Sequence, residues 1–533
     1  MCPLAALVLL VLLDLPIFSW AQETSPADAD PLAIGRRIYR EGVLPSGLPL
    51  QGLAPANVKL SGADAACVTC HRRSGFGASE GPIEVRPVTG PALFGTMEMP
   101  SVSGLESIPV LTPVQSALSA SEVARAKADT LRVSRAATFA GNRQRPVYDD
   151  ALLARAIHDG LDVTGHKMSA SMPRYALAQA ELASLSSYLK TLSAHVSPGV
   201  TKEAVHFATV IQPDTDPAQR RVLVEVLQKF FEDRNMGLRV EVRREAAGIV
   251  RLKRSYREWV LHVWDLSGTS DTWAAQLEAY NRQQPVFALI SGLGNLDWHP
   301  IHEFSERFEL PCIFPQVDVP VLADHDFYTV YLSRGMTLEA QVLAKYLQGE
   351  SERGPVVQVF RRDAASAAAA NAFRQAWRAG SGTAPLDRLV DQTPDEAYWQ
   401  QLTQQFPGAT LVLWLPAEDL MQARALTAAD SRVKVIYLSS SLNPGQRAGL
   451  AADGEGRVRL VFPQDMPVAR EARLEVLKRW LGSKGIALTD EKVQWNAYLA
   501  AKVTGLMMSH SMDTYSSEVS SRCSMRSNRN SRE

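Results

Sequence analysis

This chain of 533 residues contains few cysteines and carries almost no net charge. Lysine and arginine together number 56, and aspartate and glutamate number 57. The resulting formal net charge of -1 argues against nucleic-acid binding driven by bulk electrostatics. Only five cysteines are present, and two of them belong to one short motif, so no disulfide framework is implied. The chain is long enough for about three ordinary domains.

Long apolar runs are also missing, except at the N-terminus. Residues 1–21 have the pattern of a secretory signal, with an apolar core over 4–13 and a small-x-small cleavage site, Ser19-Trp20-Ala21. The core is too short for a membrane span, and no later segment is apolar enough to cross a bilayer. The segment departs from the usual signal because no Lys or Arg precedes its core. We predict a periplasmic protein of a Gram-negative bacterium, without a transmembrane segment once the signal is removed.

The most specific motif is Cys67-Val68-Thr69-Cys70-His71. This C-x-x-C-H pattern is the attachment sequence of a c-type haem, in which two thiols bind the vinyl groups and the histidine ligates the iron. A zinc site would need two more Cys or His at short spacing, and a thioredoxin-like pair would need a flanking βαβ pattern. Neither is present. The motif predicts one covalent haem c on Cys67 and Cys70, with His71 as an axial ligand.

The motifs around Cys67 resemble, in their order, the class I cytochrome c domains. The first helix carries G-x-x-x-Y from Gly35, G-P-x-L-x-G begins at Gly90, and M-P-x-Y begins at Met172, before a helix predicted over 177–192. The resemblance covers residues 34–192 and implies an all-α domain, interrupted by inserted loops at about 42–66 and 97–145. It also implies that Gly35 lets the first helix cross the last one near Tyr188.

This resemblance implies further haem contacts. Met172 would be the second axial ligand, with Met168 as the alternative. A thioether in that position fills the sixth site of the iron and favours electron transfer over oxygen chemistry. Pro91, or alternatively Pro87, would accept a hydrogen bond from the His71 ring through its carbonyl group.

The chain changes character after a linker predicted at 196–203. Short apolar runs then alternate with helical patterns, which predicts parallel strands covered by helices on both faces. Strands are predicted at 205–211, 259–263, 287–291, 312–314, 356–360, 410–415, 433–438 and 458–462. Helices are predicted at 217–234, 272–282, 299–308, 337–348, 364–379, 417–425 and 470–484.

This alternation resembles the type 1 periplasmic binding proteins of the branched-chain amino-acid receptor branch. The resemblance rests on the strand and turn at 286–292, the segment 310–315, and the strand at 355–360 with its following helix. It implies two lobes that hold a ligand at the carboxyl ends of their strands. The loops concerned are 291–295, 316–318, 415–417 and 439–441, and the candidate ligand-binding residues are Ser291, Gly292, Asn295 and Gln316.

The candidate ligand loops depart from that family. The loop 292–298 lacks the hydroxyl residues with which amino-acid receptors bind a carboxylate, and Arg361-Arg362-Asp363 replaces the usual aromatic-glycine pair. The sequence therefore points away from an amino acid, and leaves open a small polar or aromatic ligand or an empty cleft. Asp297 and Trp298 are candidates to line the cleft or its rim.

The predicted architecture is multidomain: a signal (1–21), an all-α cytochrome c domain (30–195), a linker (196–203), an α/β two-lobed periplasmic-binding-protein-like domain with parallel sheets (204–508), and a tail (509–533). The tail is rich in Ser, Arg and Asn and nearly free of large apolar residues, which predicts disorder or an altered reading frame.

The function favoured by these features is one-electron transfer by a periplasmic monohaem cytochrome. Its second domain would sense a small organic ligand or dock a dehydrogenase. The expected partner is a periplasmic dehydrogenase or terminal oxidase chain, with no nucleic acid and no substrate turnover by this chain. The alternatives are a solute-binding receptor of a transport or sensing system with an accessory haem, and a cytochrome subunit of a quinoprotein dehydrogenase or a haem peroxidase.

Overall fold

A computed structural model describes residues 30–80, 83–95, 146–195, 197–213, 215–246, 257–294, 297–322, 326–350, 354–381, 384–443, 450, 456–462 and 467–510. The predicted signal, the insertion at 97–145, Asn295 and residues 511–533 lie outside this part. The chain divides into two compact units, with the boundary between Ala194 and His195. In the described part, no helix combines the length and apolar character that a membrane span requires.

The first unit is built on the crossing of its first and last long helices. The first helix begins as the sequence predicts: the Asp30 carboxylate accepts a hydrogen bond from the Leu32 N–H (3.0 Å), and Pro31 occupies the first turn. Gly35 faces the last helix, where an added Cβ would lie 2.1 Å from the Ser184 carbonyl oxygen. The prediction that Gly35 permits this crossing is confirmed. The helices are α1 (Pro31–Glu41), α2 (Val68–His71), α3 (Gly90–Phe94), α4 (Asp150–His158) and α5 (Gln179–Thr191).

The first unit is not all-α, which corrects the predicted fold class. Part of the expected loop 42–66 forms two antiparallel strands, joined by a turn in which Ala56 (φ 58°) and Asn57 (φ 61°) adopt left-handed backbone conformations. Such turns are usually marked by glycine, and its absence conceals this one in the sequence. One sheet has the order β2-β1-β5, from β1 (Gln51–Ala54), β2 (Val58–Ser61) and β5 (Arg174–Tyr175), and the other pairs β3 (Ala78–Glu80) with β4 (Ile83–Val85).

The second unit contains two five-stranded sheets, and every described strand pair in them is parallel. The predicted two-lobed α/β fold with parallel sheets is thereby confirmed. The first lobe has the order β10-β9-β8-β6-β7 and the second the order β12-β11-β13-β14-β15. The strands are β6 (Ala204–Ile211), β7 (Glu258–Asp265), β8 (Ala288–Ile290), β9 (Cys312–Ile313), β10 (Thr329–Val330), β11 (Val356–Phe360), β12 (Leu386–Leu389), β13 (Thr410–Trp414), β14 (Val435–Ser439) and β15 (Val458–Val461).

Helices cover both faces of each sheet, as the apolar strands require. The last two helices return to the first lobe, where Leu477 and Ala497 belong to the same buried cluster as Phe207 of β6. The helices are α6 (Pro217–Ala246), α7 (Trp273–Gln283), α8 (His299–Arg307), α9 (Gly335–Gly349), α10 (Ala364–Ser381), α11 (Glu396–Gln405), α12 (Pro467–Lys484) and α13 (Glu491–His510). The predicted helix at 417–425 is instead two short 3-10 turns.

In the first lobe, two histidines form a pair between the edge strand β7 and its neighbour β6. His206 Nδ1 on β6 lies 3.0 Å from His262 Nε2 on β7. Burial lowers the pKa of both rings below the usual 6.5, and the charge of His206 lowers that of His262 further. Since the folded state favours the neutral rings, their stabilising contribution is present above pH 6.5 and is lost as pH falls through the lowered pKa values.

We expect the urea midpoint of the wild type to fall on acidification below this pH more steeply than that of the double variant His206→Gln/His262→Gln. Urea unfolding at a series of pH values measures the two slopes. His299→Gln is the matched control, because the His299 side chain is 54% exposed. Equal slopes for the wild type and the double variant would contradict the expectation.

Candidate functional site

The strand order locates a candidate ligand site in each lobe. Where neighbouring parallel strands send their connections to opposite sides, a crevice opens outside their carboxyl ends, and ligands bind there in open α/β sheets. This reversal lies between β6 and β8 in the first lobe and between β11 and β13 in the second. The residues that leave these strands are 212–213, 291–294, 361–363 and 415–419.

Gln212 is the polar side chain that leaves β6, and sequence analysis missed it. Its side chain is 2% exposed, and its amide Nε2 donates a hydrogen bond to the Asp297 carbonyl oxygen at 2.9 Å. A Cβ at Gly294 would lie 2.0 Å from the Gln212 amide oxygen, so a larger residue there would displace the Gln212 side chain. The Gln212 amide is therefore held in one orientation beneath the loop after β8.

Some of the residues predicted to bind a ligand after β8 are already engaged inside the protein. The Ser291 hydroxyl is buried and donates to Asn496 Oδ1 on α13 at 2.9 Å, so it is engaged within the protein. Gly292 (φ 126°) lies against the Trp298 ring, which would be 2.8 Å from an added Cβ. Trp298 is 1% exposed and belongs to the core. The Gln316 side chain is half-buried, and its backbone N–H binds the Gly292 carbonyl oxygen (2.9 Å).

In the second lobe, the ends of β11 and β13 are joined by an ion pair. Arg361 donates through Nε and Nη2 to both carboxylate oxygens of Asp419, and Nη2 also binds the Thr393 hydroxyl at 3.0 Å. Asp419 is fully buried. The hydrogen bond to Asp419 raises the pKa of Arg361, so this cation is committed to an internal partner. The sequence draws attention to Arg361 but gives no sign of Asp419.

A second buried carboxylate lies where β14 ends. Glu339 of α9 has no exposed surface. It accepts hydrogen bonds from the hydroxyl groups of Ser439 (2.5 Å) and Ser440 (2.8 Å) and from the backbone N–H groups of Ser440 (2.9 Å) and Ser441 (3.2 Å). Burial raises the pKa of Glu339 above 4.5, against the lowering effect of these bonds. One signal could have found it: Glu339 lies on the apolar face of its helix, between Met336 and Leu343.

In the first unit, the C-x-x-C-H residues lie on and before the short helix α2. Cys67 is half-buried and Cys70 is exposed. Burial raises the pKa of the Cys67 thiol to about 12. The His71 ring donates from Nδ1 to the Arg86 carbonyl oxygen (3.0 Å), whereas the Pro91 carbonyl accepts from the Gly95 N–H (3.1 Å). The carbonyl group that accepts a hydrogen bond from the His71 ring therefore belongs to Arg86, and not to Pro91 or to the alternative Pro87.

The two methionines considered as iron ligands lie in one loop before α5. The Met172 side chain is half-buried, and its carbonyl oxygen accepts a hydrogen bond from Arg174 Nη1 (2.5 Å). Met168 packs against the core of the first unit. The structure thus gives Met168 a packing role.

Comparison with known proteins reveals neither a matching family model nor a matching curated protein. Several solved structures are similar in fold. One is an ABC transporter substrate-binding protein from Desulfitobacterium hafniense in complex with leucine (16% identity, TM-score 0.41, 60% of this chain and 88% of that chain). Another is a leucine-binding protein from Thermotoga maritima (16%, 0.41, 60% and 87%). A third is a fatty acid ABC transporter substrate-binding protein from Thermomonospora curvata (12%, 0.42, 62% and 82%).

The prediction of a covalent haem c is corrected on one finding. Among the described residues, no group of three or more His, Cys, Asp or Glu side chains could hold a metal ion. The covalent haem c is therefore withdrawn. The roles assigned to His71 and Met172 and the redox partner were inferred together with it and stay predictions.

Proposed function

We propose that the second unit is the solute-binding domain of a periplasmic receptor, and that it binds a small organic molecule at the carboxyl ends of its strands. The observation that carries this proposal is the repeated topology. Numbered from its own first strand, each sheet has the order 2-1-3-4-5, with one reversal. Two such lobes in succession provide two crevices of the kind in which open α/β sheets hold ligands.

Two charged side chains near the strand ends are already engaged within the protein. Arg361 is paired with the buried Asp419, and the Glu339 carboxylate has four internal donors. The half-buried Gln316 side chain remains as a hydrogen-bonding group of the first lobe. Binding by an uncharged amide of this kind suits a polar, uncharged molecule and requires no chemical step.

The proposal is tested by thermal unfolding of the full chain with leucine, glucose and benzyl alcohol as probes. A ligand that binds only the folded state raises stability by RT ln(1 + [L]/Kd), about 2.7 kcal/mol at a hundredfold excess over Kd. We expect the Tm to rise with glucose or benzyl alcohol, and the rise to shrink in Gln316→Ala. The matched control is Gln401→Ala, an exposed position on α11. A rise of equal size in Gln316→Ala and in the wild type would contradict this site.

A further inference from the structure

The hydrogen-bond donors around Glu339 all belong to three consecutive residues, 439–441, which we name the serine cradle. Two are hydroxyl groups and two are successive backbone N–H groups, and all four converge on one carboxylate. Successive backbone N–H groups with added hydroxyls form a concavity suited to an anion. A carboxylate has about four acceptor positions, so the four donors satisfy it.

The serine cradle does not depend on Glu339 for its position. Ser439 is the last residue of β14, whose register against β15 pairs Ser439 with Val461. The Ser440 N–H approaches the Val461 carbonyl oxygen at 3.0 Å, and Asn443 donates to the Leu415 carbonyl oxygen at 3.0 Å. Glu339 arrives from α9, about 100 residues earlier in the chain. The strand and loop that carry the donors therefore keep their position when the Glu339 side chain is removed.

The serine cradle is also within reach of solvent. Ser439 is buried, but Ser440 and Ser441 are half-buried. A free carboxylate could therefore reach the same donors if the Glu339 side chain were absent.

We propose that the serine cradle is a carboxylate-binding site that Glu339 fills from within the chain. Glu339 is then the residue that prevents a free carboxylate from binding there. If the second unit is a solute receptor, as proposed above, its ligand presents no carboxylate to this part of the second lobe. The serine cradle can be a carboxylate-binding site whether or not the second unit is a solute receptor.

Chemical rescue of Glu339→Ala tests the proposal. The substitution removes a methylene group and a carboxylate, a fragment the size of acetate. It leaves three donors without their partner, since the Ser440 N–H keeps the Val461 carbonyl oxygen, and the Tm of the full chain should fall by at least about 4 °C. We expect sodium acetate to recover part of this loss in a concentration-dependent way, and sodium chloride and acetamide to recover none of it. The wild type should show no acetate-specific shift.

Three variants make the result specific. Glu339→Gln fills the space without the charge and should not respond to acetate. Asp391→Ala removes a carboxylate of the same lobe that is 70% exposed, and should not respond either. Adding Ser440→Ala to Glu339→Ala removes one hydroxyl donor and should weaken the acetate response.

If Glu339→Ala does not fold alone, the refolding yield from urea in acetate against chloride replaces the Tm as the readout. A higher yield in acetate supports the site, and equal yields overturn it. Recovery by acetamide or by chloride to the same extent as by acetate would also overturn it, because filling of space or ionic strength would then be the cause. An acetate response of the same size in Glu339→Ala/Ser440→Ala as in Glu339→Ala would overturn the proposal as well.

Discussion

Gly35→Ala is expected to unfold the first unit or to lower its free energy of unfolding by more than about 3 kcal/mol. The new Cβ would lie 2.1 Å from the Ser184 carbonyl oxygen and 2.7 Å from the Tyr188 Cβ. Neither atom can swing away, because both belong to the rigid helix α5. The helices α1 and α5 would have to separate, and the core around Ile38 and Leu185 would open with them.

The two units can be followed separately in this experiment. Of the ten tryptophans, only Trp20 precedes the second unit, and it lies in the predicted signal. Tryptophan emission therefore reports on the second unit, whereas far-ultraviolet circular dichroism reports on both. We expect Gly35→Ala to lose helical dichroism without a change in tryptophan emission.

The matched control is Gly482→Ala on α12, where an added Cβ meets no atom within 4 Å. It should be neutral or stabilising by about 0.5–1 kcal/mol, because alanine restricts the unfolded chain and favours the helix. A Gly35→Ala protein as stable as the wild type would show that the two helices do not cross this closely.

Arg361→Ala is expected to cost the second unit about 3–5 kcal/mol. The substitution removes the only cation that the structure describes at the buried Asp419, and an unpaired charge remains inside the lobe. The loop after β11 also loses its bond to the Thr393 hydroxyl. The double variant Arg361→Ala/Asp419→Ala should recover part of the loss, since it removes the charge as well.

Urea unfolding followed by tryptophan emission measures both effects. The neighbouring Arg362→Ala is the matched control, because Arg362 and its partner Asp391 are 74% and 70% exposed. Exposed pairs of this kind contribute about 0–1 kcal/mol. If Arg361→Ala and Arg362→Ala were equally mild, or if the double variant were no more stable than Arg361→Ala, the buried ion pair would not have the role assigned to it.

The sequence by itself determined the elements whose signals are local. Runs of apolar residues marked β6, β11 and β13 within one or two residues, because a strand buried on both faces must be apolar along its length. Asp30 and Pro31 marked the first helix through the chemistry of its N-terminus. The alternation of such strands with helices was sufficient to predict the parallel α/β fold of the second unit.

Only the tertiary structure decided features that join distant residues or lack a local signal. The strands β10 and β12 are short and carry no clear apolar run, so their pairing partners define them. The C-x-x-C-H motif fixed the spacing of three side chains but not what surrounds them, and the haem inferred from it was corrected. Arg361 and Asp419 are 58 residues apart, and Glu339 and Ser439 are 100 apart. A buried charge is stable only beside its partners, and the fold alone brings those partners together.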